Sequence, residues 1–427
     1  MEIAKLYELY KLSNYKVYTD TRNPIKGALF FALQGKGFNG NLFASRALEQ
    51  GASFVIVDQK IDSLPAEKTI LCENVLKTLQ DLANFYRKNS SAKIVAIGGS
   101  NGKTTSKELL NKVLSAKFKT HATPGNYNNH IGLPLTLLSM PRDTEIAIVE
   151  FGTNQKGDIS ELCQIAEPDF GVITNIGKEH LEGFGSEEAI AKEESSLFDF
   201  LLKMKGVPFI NQDDKWLCSM SKRFLDFRFF SVSDFIVESS VPQIKLKSMS
   251  NVSYMSQLAG IHNISNIALA RAIGVYFGVE ENIISDSIAN YSPTNMRSQW
   301  INHKENLIYM DAYNANPSSM EAALLVLKDL PNDKTKIAIL GDMFELGDYS
   351  FTEHKSIYEM AKGLSIDKIF TVGKEFSKVN FSNTSFEETI DLKNYIEKNH
   401  IHNAYILLKG SRGMKLEEVL EKILKSN

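Results

Sequence analysis

The chain predicts an α/β fold of three domains: a small N-terminal α/β domain, a central P-loop domain with a mostly parallel sheet, and a C-terminal Rossmann-like domain. Three observations carry this. Residues 93–114, KIVAIGGSNGKTTSKELLNKVL, read as a buried strand, a glycine loop and an amphipathic helix in succession. From Leu307 onward, apolar strand-like runs alternate with helical patterns at the spacing of crossover units. The polar break Lys88-Asn89-Ser90-Ser91 separates a further block of strands and helices ahead of the glycine loop. The implied domains are 1–88, 89–291 and 292–427, in keeping with a chain of 427 residues.

Taken in order, MEIAKLYELY reads as an amphipathic helix and lacks the long apolar stretch of a signal peptide. Runs 28–33 and 54–57 are strand-like, and 44–50 is helical with Gly51 at its end. Thr19-Asp20-Thr21-Arg22 is a loop that turn chemistry alone would explain. In the next block Ile94, Val95, Ala96 and Ile97 form the strand, and Leu109, Leu110, Val113 and Leu114 share one helix face. Between them, glycines let backbone N–H groups converge on phosphate oxygens at a helix N-terminus. Lys103 is placed to neutralise phosphate charge and the Thr104 hydroxyl to reach Mg²⁺. Ile97 stands where the longer version of this motif has glycine, but the shorter G-x-x-G-K-T from Gly99 fits.

Gly125 to Pro134 is an Asn-rich loop suited to a polar neutral ligand or to plain turn chemistry. Strand 146–149 ends at Glu150, helix 158–166 follows, and His180 trails strand 171–174. The glycine loop, Glu150 and His180 therefore share the carboxyl edge of a parallel sheet, where ligands bind. That makes Glu150 and His180 candidate Mg²⁺ ligands. Runs 227–230 and 243–246 read as strands, and a helix rich in small residues follows His262-Asn263-Ile264-Ser265-Asn266. Asn263 reads as its cap, and His262 beside two asparagines suits a purine. In the last block, strand 307–310 ends in Asp311. Asn316 and Pro317 open a helix with Met320, Leu324 and Leu327 inward. Strands 336–340, 368–372 and 404–408 alternate with helices near 356–362, 392–398 and 416–424. Gly341-Asp342-Met343 and Lys409-Gly410-Ser411-Arg412 trail two of these strands and outline a second binding edge.

A net charge of −3 argues against a nucleic-acid binder. Cys72, Cys163 and Cys218 are scattered, so neither a zinc site nor a disulfide framework is expected and a reducing compartment is implied. No apolar run approaches the roughly 18 residues of a membrane span, so membrane insertion is not expected. There is no internal repeat and no Ser/His/Asp or Cys/His arrangement. A cytoplasmic enzyme is the reading.

The ordered motifs resemble those of the Mur ligases of peptidoglycan synthesis: the phosphate loop, GNYNNHIGLP from Gly125, HLEGFGS from His180, DAYNANPSSM from Asp311 and GDMFELG from Gly341. The resemblance runs nearly end to end. It implies an N-terminal domain for the UDP end of the substrate, a central ATPase, and a C-terminal domain for the incoming amino acid or dipeptide. DAYNAN and GDMFELG point within the family to an ATP- and Mg²⁺-dependent ligase joining D-alanyl-D-alanine to UDP-N-acetylmuramoyl-tripeptide, acting as a monomer. By resemblance, Gly99, Ser100, Asn101, Gly102, Lys103, Thr104 and Thr105 hold ATP phosphates. His262, Asn263 and Asn266 sit at the adenine, and Arg297 and Asp311 reach the nucleotide from the third domain. Thr21, Arg22 and Asn129 face the UDP-sugar peptide, Asn314 and Asn316 line the cleft, and Lys409 and Arg412 are candidates for the dipeptide carboxylate.

One position departs from the family pattern. Where these ligases usually carry a carbamylated lysine for a second Mg²⁺, counting from His180 reaches Glu194, with Lys192 two residues earlier. Glu194 is expected to substitute for the carbamate without CO₂, completing a metal set of Thr104, Glu150, His180 and Glu194. The alternatives are a register slip to Lys192 or a weak second metal. Three rivals remain. The diaminopimelate-adding ligase carries an Asp-Asn-Pro-Arg run that is missing here. Folylpolyglutamate synthase lacks the UDP domain. A non-catalytic nucleotide-binding module would not need Lys103, Thr104, Glu150 and His180 together.

Overall fold

The computed structural model describes residues 2–425. The N-terminal unit is a four-stranded parallel sheet in the order Val17–Tyr18, Leu29–Phe31, Phe54–Val57, Thr69–Leu71, with a small hairpin of Gln34–Gly35 and Phe38–Asn39. Its last helix, Val75–Lys88, is capped by Asn74, whose side chain accepts from Lys77 N at 2.8 Å. Val75, Leu79, Leu82, Ala83 and Tyr86 form its buried stripe. This helix and Ile3–Leu12 pack onto the central unit. Tyr10 Oη donates to Leu138 O, Tyr86 Oη to Met140 O at 2.6 Å, and Arg87 Nη2 to Asp169 Oδ2 at 2.8 Å.

The central sheet has six parallel strands in the order Arg228–Phe230, Val207–Asn211, Phe170–Ile173, Lys93–Gly98, Ile146–Glu150, Thr120–Ala122. The phosphate-loop strand thus runs between the strand that ends in Glu150 and the strand that leads to His180, as the shared-edge reading requires. A three-stranded antiparallel sheet, Phe235–Ser239, Ile244–Ser248 and Ser253–Ser256, closes this unit. The helix that follows, Ile261–Tyr276, has Gly260 at its N-cap. Asn263 lies inside the helix and donates back to Ala259 O at 2.8 Å, so it does not cap as expected.

The C-terminal sheet has the order Gln299–His303, Asn306–Asp311, Ala404–Lys409, Thr335–Gly341, Lys368–Val372, Ser385–Phe386; only the first strand is antiparallel. Asn316 and Pro317 do open the helix Pro317–Asp329, with a reciprocal cap between Asn316 and Ser319. The helix expected near 356–362 is longer, Ser350–Gly363, because the 3₁₀ turn Gly347–Tyr349 feeds directly into it. The others are Thr389–Lys398 and Glu417–Lys425.

Candidate active site

The carboxyl edges of the central and C-terminal sheets face one another across a cleft of about 940 Å³. The glycine loop forms its floor. Gly99 at φ +109° and Gly102 at φ +83° hold conformations that an L-residue rarely adopts, and helix Lys103–Leu114 begins at once. The loop is braced by the segment after Phe170–Ile173. Asn101 N donates to Asn175 Oδ1 at 3.1 Å, Asn101 O accepts from Thr174 Oγ1 at 2.6 Å, and Gly177 N donates to Ser100 Oγ at 2.9 Å. Lys103 Nζ donates to Gly99 O and lies 3.4 Å from Glu179 Oε2. Burial pushes its ammonium down, but Glu179, Glu194 and Glu150 together hold it above the usual lysine range.

Thr104 Oγ1 donates to Glu150 Oε1 at 3.2 Å, and Asn128 Nδ2 reaches the same oxygen at 2.9 Å. Glu150 Oε2 is buried without a hydrogen bond, 3.5 Å from Lys107 Nζ. Glu179 Oε1 is a second buried carboxylate oxygen with no partner. Two buried carboxylate oxygens without a hydrogen bond and a hydroxyl beside a phosphate loop fit a hard divalent cation that completes its shell with phosphate and water oxygens. No group of three or more His, Cys, Asp or Glu is placed to hold a metal among the described residues. The expected four-member set therefore does not close. Thr104 and Glu150 touch and His180 lines the same cleft, but Glu194 does not.

Glu194 is fully buried behind the loop, where its Oε2 accepts from Gly99 N at 2.8 Å. Burial pushes its carboxyl up to about 8, against the pull of Lys103. Its observed contact is to the loop backbone, which corrects the expectation of a carboxylate aimed at the metal. Lys192 is exposed on the same helix, so the alternative register is not supported either.

The opposite wall comes from both units. Asn266 Nδ2 donates to Asn263 Oδ1 at 2.9 Å, and Asn266 Oδ1 accepts from Ser106 Oγ at 3.0 Å. His262 Nε2 lies 3.0 Å from Asn263 Nδ2. Arg297 stacks 3.8 Å over the Tyr313 ring. Asp311 accepts from Ser298 N at 3.0 Å and pairs with Lys409 at 2.8 Å; burial pushes its carboxyl up, but Lys409 holds it below the usual range. Asn316 Nδ2 donates to Asn101 Oδ1 at 2.9 Å, joining the two units directly.

Of the five remaining expected substrate contacts, Lys409 and Asn129 line the cleft and Thr21, Arg22 and Arg412 do not. Lys409 Nζ is consumed by Asp311 and by Asn314 O at 2.7 Å, which leaves it poorly placed for a dipeptide carboxylate. Arg412 is exposed, pairs with Glu417 at 3.4 Å, and does not line the cleft. Thr21 is buried in the N-terminal unit and Arg22 is exposed in an ion pair with Asp20, both away from the cleft. Asn129 does line the cleft, but its Oδ1 accepts from Ile131 N and Gly132 N just ahead of the helix Gly132–Leu138. Its neighbour Asn128 makes the contact to Glu150. Asn128, Lys107, Glu179 and Glu345 were missed as site residues, although Asn128 lies in GNYNNHIGLP, Glu345 in GDMFELG, and Glu179 beside His180 in Lys-Glu-His.

Residues 97–274 match the Mur ligase middle domain, and residues 296–412 match the Mur ligase glutamate ligase domain. The UDP-N-acetylmuramoyl-tripeptide–D-alanyl-D-alanine ligase of Bacillus subtilis is 36% identical, over 96% of this chain and 93% of its own. The chain belongs to the Mur ligase family. The Escherichia coli enzyme of the same name is 32% identical to this Mur ligase, over 95% of this chain and 92% of its own. Among solved structures, MurF from Thermotoga maritima in complex with ADP aligns with a TM-score of 0.86 at 26% identity, covering 97% of this ligase and 98% of that chain. MurF from Acinetobacter baumannii aligns with a TM-score of 0.86 at 28% identity, covering 96% and 93%.

Proposed function

We propose that this Mur ligase joins D-alanyl-D-alanine to UDP-N-acetylmuramoyl-tripeptide, consuming ATP and releasing ADP and phosphate. The observation that carries the reading is the cleft itself: a phosphate loop with buried carboxylates on one wall, and Arg297, Asp311 and Asn314 from a second sheet on the other. A carboxylate is a poor electrophile. ATP converts the tripeptide's terminal carboxylate to an acyl phosphate, the dipeptide amine attacks the carbonyl carbon, and phosphate leaves the tetrahedral intermediate. The protein's part is positioning and charge neutralisation, so no protein nucleophile is needed. Lys103 and the amides of the glycine loop bind and orient the phosphates, displacing the contacts Lys103 now makes within the loop. Thr104, Glu150 and His180 would hold Mg²⁺, with Glu179 beside them. Bound there, Mg²⁺ neutralises phosphate charge as the phosphoryl group moves. His262, Asn263 and Asn266 face the base, while Thr21, Arg22 and Asn129 serve the UDP-peptide substrate.

The monomer is the working unit in this reading, since both cleft walls come from one chain, and the cytoplasm supplies the ATP. The limits of the three domains fall near 88 and 291. Phosphate release measured with each substrate omitted in turn tests the function. Release is expected only with ATP, D-Ala-D-Ala and the UDP-tripeptide all present, and release with a single amino acid in place of the dipeptide would overturn it.

A further inference from the structure

The seam between the two sheet edges holds a contact to His180 that this scheme does not use. His180 at φ +45° and Glu345 at φ +62° are both non-glycine residues in the left-handed region, and they meet across the seam. The segments that carry them are tied together twice. His180 Nδ1 lies 2.5 Å from Glu345 Oε2, and Glu182 N donates to Glu345 O at 3.1 Å. Such backbone conformations persist where the surroundings over-determine them, and they cluster at functional sites. The loop carrying Glu345 is well anchored: Met343 N donates to His354 Nε2 and Phe344 N to Ser411 Oγ, each at 3.0 Å.

A carboxylate only accepts hydrogen bonds, so the imidazole hydrogen it engages is the one on Nδ1, and the lone pair is left on Nε2. Nε2 is on the side of Glu179, 3.9 Å from its Oε2, and His180 lines the cleft. Metal-binding histidines are held in this way, with the other ring nitrogen on a carboxylate. We propose that Glu345 is a positioning residue for cation binding: by engaging His180 Nδ1 it turns Nε2 toward the nucleotide cleft, so the C-terminal unit completes the cation site of the central unit. The proposal rests on His180 as a Mg²⁺ ligand. The Lys178–Glu353 pair at 2.7 Å and the Tyr349 Oη bond to Gly185 O at 2.9 Å do not involve Glu345, so its removal leaves other seam contacts in place.

The test measures free Mn²⁺, standing in for Mg²⁺, by electron paramagnetic resonance on the full chain with ADP. Glu345→Ala is expected to weaken Mn²⁺ binding about 10- to 100-fold, with ADP affinity in EDTA unchanged. Glu345→Gln keeps an acceptor oxygen and is expected to stay within about threefold of the parent. His180→Ala and the double variant His180→Ala/Glu345→Ala are expected to bind Mn²⁺ alike, because the two residues act as one unit. If His180→Ala is weakened and Glu345→Ala is not, the proposal alone is overturned. If His180→Ala binds as the parent does, the metal role of His180 falls with it. A further loss from adding Glu345→Ala to His180→Ala also overturns the proposal, since Glu345 would then act through something else.

Discussion

Glu193 and Glu194 sit side by side on one helix and serve different loops. Glu193 accepts from Gly157 N at 2.8 Å and Ile159 N at 2.9 Å, while Glu194 accepts from Gly99 N. Because burial raises the Glu194 carboxyl from an ordinary 4.5 to about 8, the folded chain binds an extra proton between those values. Stability therefore declines as pH rises through that window. In Glu194→Gln, which keeps an acceptor for Gly99 N, the fall in melting temperature from pH 6 to pH 8.5 is expected to be smaller than in the parent, as read by thermal denaturation. An equal fall would show that Glu194 is not the group responsible. At this scale the sequence was legible where spacing decides contact, as at Thr104 and Glu150, and illegible where orientation does. Asn128 and Asn129 are chemically identical, and only the turn they form sends one to Glu150 and the other to the amides of Ile131 and Gly132. Lys409 looked free because its partner Asp311 lies 98 residues away in sequence, and their pairing depends on a strand register that composition does not reveal.

Among the elements, the glycine loop was readable almost whole, since strand, loop and helix follow in order along the chain. Its bracing by Thr174 to Gly177 was not, because that contact crosses between strands. A Cβ on Gly99 would meet Thr174 Oγ1 at 2.3 Å and Thr174 N at 2.7 Å, in a backbone region already unfavourable for alanine. Gly99→Ala is expected to cost about 3 kcal/mol or more and to weaken ATP binding as well, measured by denaturant unfolding and by titration calorimetry. An unchanged midpoint would mean that the loop yields more easily than its contacts imply. The C-terminal alternation was legible because each apolar strand is separated from the next by a helix. Of the antiparallel strands between Phe235 and Ser256 only the middle one was visible, where Ile244, Lys245 and Leu246 alternate between buried and exposed; Phe235–Ser239 is exposed through its middle and Ser253–Ser256 buries a single apolar side chain, Tyr254.

Across the whole molecule, the seam between the central and C-terminal units is chiefly polar where it meets the cleft: His180 with Glu345, Lys178 with Glu353, Asn316 with Asn101. Ion pairs of this sort are screened by salt and contribute little singly. Solution scattering of the enzyme with ATP and UDP-tripeptide is expected to fit this closed arrangement, while the free enzyme in high salt is expected to be more extended. Superimposable profiles would argue against closure on binding.

The connection between those two units has a twist of its own. Asn295, Met296 and Ser298 all lie at φ between +48° and +57°, and between them Arg297 lies over Tyr313. None of the three is glycine, so the joint is wound against its natural hand, at roughly a kcal/mol or more for each of the less tolerant residues. Any swing of one unit against the other that lets these residues leave the left-handed region relieves that cost. Arg297 and Ser298 also line the cleft, so the strained joint borders the nucleotide site itself.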